Sequence, residues 1–245
     1  MINSVRNTVL AYINKDNRGY LTPEQFNLFA HQAQIDRFEQ YMYDYNNALN
    51  KQNQHLNGSG AADIAGRISE VIDSFSTGST LAYDSIYTLK YYYPGTNPND
   101  PDEPKYFKIE RITYNGNKEV EKVSHNKILN LLASNLTAPT AAYPVYTMDD
   151  EGIQIYPLSL SSTSLMIQYI RYPKTPKWTY NPSLLVGGEP LFDPSIADYQ
   201  DFELPASDEP FLVNKILQYA GISIREGEVV QMAKADEVQD KQEKQ

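Results

Sequence analysis

Ile153-Gln154-Ile155-Tyr156-Pro157 and Leu165-Met166-Ile167-Gln168-Tyr169-Ile170-Arg171-Tyr172-Pro173 decide how this chain is read. Both runs are rich in β-branched and aromatic residues, and each ends in Tyr-Pro. Apolar positions alternate with polar ones, the period of a half-buried strand. After them come Phe202-Glu203-Leu204-Pro205, a helical run from Ser207 and a charged end. Nothing in this stretch carries the residues of an active site, which points towards assembly rather than catalysis.

Further strands lie upstream of this pair. Residues 86–93 and 106–112 alternate with period two, as do 143–148, 152–156 and 164–172. Asp149-Asp150-Glu151-Gly152 turns the chain between two of them. A loop, Pro94 to Pro104, holds four prolines and several acids and is too polar to be core. Ser124 caps a helix carrying Ile128, Leu129, Leu131 and Leu132. A sandwich and a small barrel both fit this set of strands.

The first third reads as helical. Val5, Val9, Tyr12 and Ile13 share one face of a helix over residues 3–14. Thr22-Pro23-Glu24-Gln25 starts a second helix, with Thr22 as cap, Pro23 at the first position and Gln25 reaching back. It runs to about Asn50, with Phe26, Phe29, Ala33, Phe38 and Met42 on its apolar side. Residues 51–60 are a polar linker ending in Gly-Ser-Gly. A shorter helix over 61–75 has Ile64, Ile68, Val71 and Ile72 as its stripe.

Downstream, Pro173 to Pro205 is a proline-rich arm with isolated apolar residues Trp178, Leu184, Leu185 and Phe192. So long a connection without structure of its own is usually functional and often wraps a neighbour. One helix follows over 207–224 and a second runs from Glu226 towards Lys241. The expected fold is α+β. An N-terminal helical region (1–78) is joined by C-terminal helices and tail (207–245). A mainly antiparallel β-domain with one inserted helix (79–172) and the extended arm (173–206) complete it.

The chain has 245 residues, enough for a sizeable core, and a formal charge of −10. That acidity argues against gripping DNA phosphates, which needs clustered Lys and Arg. With no cysteine, disulfides, thiolate zinc sites and a Cys nucleophile are excluded. The N-terminus has no signal-peptide core and no run reaches the length of a membrane span, so a soluble chain made in the cytosol is expected. Tyrosine is the outlier, 20 against 8 Phe. Interfaces use Tyr for large contact area at low entropy cost, and wet strand faces also favour it.

Several motifs imitate chemistry. Asn14 to Gln25 is spaced like a calcium loop with Gly19 at position six. Position one is Asn, position five Arg and position twelve Gln, so the anionic oxygens that calcium needs are missing. His31, His55 and His125 have no metal-ligand spacing. Ser59 lacks the frame of a hydrolase nucleophile, and Gly187-Gly188 is followed by no phosphate loop. Acid pairs such as Asp149 with Asp150 and Asp100 with Asp102 crowd in turns, where acids are solvated. The expectation is a protein without catalysis, cofactor or metal.

Taken in order, these parts resemble the head-to-tail connector (adaptor) proteins of short-tailed bacteriophages, the ring proteins of crAss-like phages above all. Three elements carry the likeness: the run Val5 to Pro23 with Phe26-Asn27-Leu28-Phe29 after it, the strand ending Tyr169-Ile170-Arg171-Tyr172-Pro173, and Glu203-Leu204-Pro205 leading into a helix. The resemblance implies a virion protein of the head–tail neck, made in the bacterial cytoplasm. It implies a closed ring of copies of itself, usually a dodecamer, between the portal protein and the next tail ring protein. Double-stranded DNA would pass through an acidic lumen without specific binding, and no membrane is involved. Within such a ring the arm would clasp the next subunit, and the segment Glu226–Gln245 would enter the portal, unless that segment is simply a frayed terminus. The residues expected at these interfaces are Arg171, Tyr172, Pro173, Trp178, Tyr180, Phe192, Val229, Val230 and Met232.

Alternatives come from other classes. Another tail-ring or minor head protein shares the N-terminal likeness. A glycan-binding module is suggested by Tyr91-Tyr92-Tyr93 and by Trp178 with Tyr180, since aromatic faces stack on sugars. A hydrolase built on Asp149 and Asp150 is the enzyme alternative.

Overall fold

The computed structural model describes residues 1–14, 21–53, 64–83, 90–160, 164–186 and 189–224. Their elements run α1 (Ile2–Ile13), α2 (Pro23–Asn53), α3 (Ile64–Asp73), β1 (Ser76–Thr80), β2 (Lys90–Tyr91), β3 (Tyr106–Tyr114) and β4 (Lys118–Lys122). Then follow α4 (His125–Leu132), β5 (Val145–Met148), β6 (Ile153–Tyr156), β7 (Leu165–Arg171), β8 (Tyr180–Val186), β9 (Glu189–Phe192) and α5 (Glu209–Ile224). The chain divides into two compact units, one of residues 72–172 and one of 1–71 with 173–245. Helices and a large, mostly antiparallel sheet make the fold α+β.

The first unit is built on one seven-stranded sheet in the order β1-β7-β3-β4-β5-β6-β2. Every neighbouring pair is antiparallel except β4 with β5. The alternation read from the sequence sets which face is buried. In β7, Leu165, Ile167 and Tyr169 turn inward while Met166 and Gln168 face out. They meet Ile112 of β3, Val120 of β4 and Ile153 and Ile155 of β6 in one apolar core. Tyrosines belong to that core too. Tyr91 is 6% exposed, and Tyr93, packed against it, stacks on Tyr106 at 5.1 Å.

Two strands escaped the sequence reading. β1 has the sequence Ser-Thr-Gly-Ser-Thr, with no apolar side chain, in a stretch expected to be helical to residue 78. It forms as an edge strand whose backbone pairs with β7 over Ser76–Thr80. β4 carries four charged residues and one inward Val120. Its ladder is set by the tight turn at Asn115 and Gly116, both at positive φ.

The Pro94–Pro104 loop folds back on its own base. Tyr106 N–H donates to Pro94 O at 3.3 Å, and Gly95 N–H donates to Glu103 Oε2 at 2.9 Å. Gly95 has φ +76°, and a Cβ there would lie 2.5 Å from Lys105 Cα. Gly95→Ala therefore strains both the dihedral and the close approach. We expect it to cost about 1–3 kcal/mol, read as a lower urea midpoint for the sheet unit; an unchanged midpoint would show that the loop gives way freely.

The second unit is a helical bundle. α1 buries Ile2, Val5, Arg6, Val9 and Ile13, a stripe at three- and four-residue spacing. Tyr12, expected on that stripe, is 58% exposed because it falls at the stripe's edge. α2 opens with the expected reciprocal cap: Gln25 N–H donates to Thr22 Oγ1 at 3.2 Å, and Thr22 N–H donates to Gln25 Oε1 at 3.1 Å. Phe26, Ala30, Ala33 and Phe38 of α2 and Leu212, Ile216 and Ala220 of α5 are fully buried. α5 packs on both α1 and α2. The expected C-terminal helix from Glu226 lies outside the described residues, as do 15–20, 54–63, 84–89, 161–163 and 187–188.

The arm differs from its expectation. Residues 173–206 are not a connection without structure: β8 and β9 form an antiparallel hairpin, and Lys177 pairs with Gln200 in an isolated bridge. Prolines within both strands hide the hairpin from a propensity reading.

Candidate functional site

Six of the nine residues expected at interfaces are described, and they fall in two places. Arg171 ends β7 half-buried. Its N–H donates to Phe75 O at 3.0 Å, and its guanidinium lies 5.9 Å from the Phe75 ring. Tyr172 is 37% exposed and meets Phe107 edge-on at 5.3 Å. Pro173, the first residue of the other unit, is buried.

Trp178, Tyr180 and Phe192 come together in the helical unit. The indole stacks between Tyr180 (5.7 Å) and Phe192 (5.8 Å), and Phe192 meets Tyr199 edge-on. Arg6 of α1 places its guanidinium 3.8 Å from the indole centroid. The indole N–H donates to Asn3 Oδ1 at 3.1 Å. Asn27 of α2 grips the backbone on both sides, accepting from Trp178 N–H at 2.8 Å and donating to Trp178 O at 3.1 Å. At 2% exposure, Trp178 points into its own chain and cannot face a neighbouring subunit. The correction has a plain cause: an indole buries most area where its N–H also finds an acceptor, and α1 supplies both. Tyr180 and Phe192 are half-buried around it. Val229, Val230 and Met232 lie outside the described residues.

The same unit holds a buried polar cluster. Arg37 Nη2 donates to Asp208 Oδ1 at 2.7 Å, and Tyr41 donates its hydroxyl to Asp208 Oδ2 at 2.6 Å. Burial, and then the bond to Asp208, push the Tyr41 hydroxyl up to about 12. Burial works against the Arg37 charge, but Asp208 more than reverses that and raises its pKa. On the same unit an open cleft of about 530 Å³ is lined by Glu24, Asn27, Thr175, Pro176, Lys177 and Asp198. Three of its polar side chains are engaged: Lys177 pairs with Asp198 at 2.8 Å, and the Asn27 amide holds Trp178.

The residues behind the enzyme and calcium alternatives are described in part. Asp149 Oδ1 accepts from the N–H groups of Glu151 (3.1 Å) and Gly152 (3.0 Å), and Oδ2 takes Lys90 at 2.8 Å. Burial opposes the Asp149 charge, but Lys90 and these two N–H groups prevail and lower its pKa. Its geometry is that of a turn locked to β2. Gln25, at position twelve of the calcium-like run, spends its side chain on the helix cap. Among the described residues no group of His, Cys, Asp or Glu is placed to hold a metal. Also among them, no helix is long and apolar enough to cross a membrane.

One surface went unrecognised in the sequence. Of the four apolar residues read on the α4 helix, only Ile128 is buried, against Val123 and Val145. Leu131 is partly buried, while Leu129 (62%), Leu132 (45%), Leu136 (94%) and Tyr143 (81%) are exposed. The signal was present: an eight-residue helix has one inward face, and Ile-Leu-Asn-Leu-Leu spreads apolar groups over more than one. Neither a protein-family model nor a curated protein matches the sequence.

Proposed function

We propose that this chain is a structural ring subunit of a phage head–tail neck. In this reading copies of it close into a ring, a dodecamer by resemblance, between the portal and the next tail ring protein, and double-stranded DNA passes through without specific binding. The observation that carries the proposal is the apolar surface around α4, where four large side chains stand in solvent on an otherwise acidic protein. Scattered exposed apolar residues are ordinary, but these four fall within fifteen residues of sequence, and clustered exposed apolar side chains are characteristic of a lasting protein interface. A helical bundle and an antiparallel β-unit in one chain are also what the resemblance implies. Acids outnumber bases in both units, which suits a channel that DNA must not adhere to. The neck places the protein in the virion, after synthesis in the bacterial cytoplasm.

Cross-linking mass spectrometry on intact purified particles tests this. Links to the portal are expected, along with links between copies of the chain. Links confined to other tail proteins would move the subunit down the neck to another ring or a minor head position. Absence from particles would overturn the structural reading.

A further inference from the structure

We propose that the α4 surface of one copy docks on the outward face of α2 of the next copy. The inference rests on the ring reading and names the two faces that meet.

The first face is poor in charge. From Val123 to Met148 the sequence has one charged residue, Lys127, and no acid, in a chain with 31 Asp and Glu. Loss of charge around exposed apolar side chains is the pattern found at the centre of protein interfaces. Leu129, Leu132, Leu136 and Tyr143 make this face, with Lys127 exposed beside them and Lys122 at the end of β4. One lysine among leucines is no footprint for nucleic acid, which requires clustered cations.

The second face is its complement. α2 exposes Leu28 and Tyr43, each at 66%, and the acids Glu24 and Glu39. Gln25, Leu28, Gln32, Glu39, Tyr43 and Asn46 recur at three- and four-residue spacing, with one step of seven (two turns) across the half-buried Ile35 and Asp36, and are all exposed, so they share one outward side of the helix. Within α2 the only Lys or Arg are Arg37, which turns inward onto Asp208, and Lys51, exposed in the last turn beyond this stripe. An apolar face with lysine and no acid therefore meets a mainly polar stripe that carries Leu28, Tyr43 and acids and no Lys or Arg. Pairing α4 with α4 would instead set Lys127 against its own copy. Two different faces make a head-to-tail contact, the kind that propagates until it closes as a ring.

The absence of cysteine makes the test direct. Two full-length variants, Leu129→Cys and Tyr43→Cys, are mixed with one isotopically labelled, oxidised, and their disulfide dimers sorted by mass. Mixed dimers are expected in roughly tenfold excess over dimers of either variant alone, because docking raises the effective concentration of that pair only. Lys127→Glu is expected to reduce the assembled fraction in native mass spectra, and Glu39→Lys in the same chain to restore it. Dominant Leu129→Cys homodimers would overturn the proposal by showing that α4 meets α4. Rings without mixed dimers would overturn this pair of faces and leave the ring reading standing. A monomer at every concentration would overturn both.

Discussion

Asp208→Ala is expected to destabilise the helical unit by about 3–5 kcal/mol, the range for removing one partner of a buried ion pair. The Asp208 side chain is 4% exposed and that of Arg37 11%. Arg37 lies 4.5 Å from the Tyr41 ring centroid and 4.7 Å from that of Phe211, so the charge left behind cannot reach water without breaking the packing of α2 on α5. Tyr41 would lose the acceptor of its hydroxyl as well. Exposed pairs such as Lys177 with Asp198 lack this leverage, because water replaces either partner. Trp178, the only tryptophan, lies in the same unit and reports the transition by its emission during urea unfolding. The double change Arg37→Met with Asp208→Leu should recover much of the loss, since it also removes the cost of desolvating two charges. An unchanged midpoint in Asp208→Ala would mean that Arg37 finds water. The cluster also predicts a pH dependence. Tyr41 titrates at about 12 in the folded state against 10.0 for the free side chain. A raised pKa means that the folded state holds the proton more tightly. Its contribution is therefore complete below pH 10 and is lost as pH rises towards 12. Tyr41→Phe should flatten that fall.

Much of this architecture was legible because local signals agreed with their surroundings. Thr22-Pro23-Glu24-Gln25 predicts the start of α2, and the reciprocal bonds between Thr22 and Gln25 show why: both satisfy N–H groups that the first helical turn leaves free. Alternation in β6 and β7 predicts their buried faces because one side of each strand must pack. The signal fails where tertiary pairing replaces local preference. β1 exists because β7 offers it a free edge, and Ser-Thr-Gly-Ser-Thr records none of that. Interface residues are harder still, since an apolar side chain reads alike whether it is destined for its own core or for a partner. Trp178 and Leu129 make the contrast. The first, expected at a subunit interface, is held inside by Asn3, Arg6 and Asn27, and the second, which the sequence shows only as one apolar residue of a short helix, stands 62% exposed. Asn3, which accepts from the indole N–H, and Asn27, which accepts from the Trp178 backbone N–H, lie some 150 residues or more away in sequence, so no local window contains them.

Trp178→Ala is expected to cost a further large amount, about 3–5 kcal/mol, and to release the arm from the helices. The indole is the hub of the Tyr180–Trp178–Phe192 stack, and its loss empties the space between two rings and beneath the Arg6 guanidinium. Arg6, itself only 8% exposed, would lose the aromatic face it rests on. The melting temperature of the helical unit, followed by circular dichroism, should drop by roughly 10 °C. Trp178→Phe should lose less, because a ring remains in the stack while the bond to Asn3 goes. Asn27→Ala separates arm docking from helix packing. It removes both bonds that clamp the Trp178 backbone yet leaves every ring in place. In that variant the indole emission should shift to the red at a lower urea concentration than the helical signal is lost, since the arm loosens first. Coincident loss of the two signals would mean that 173–206 and the bundle unfold as one, making the arm part of the core rather than a strap laid over it.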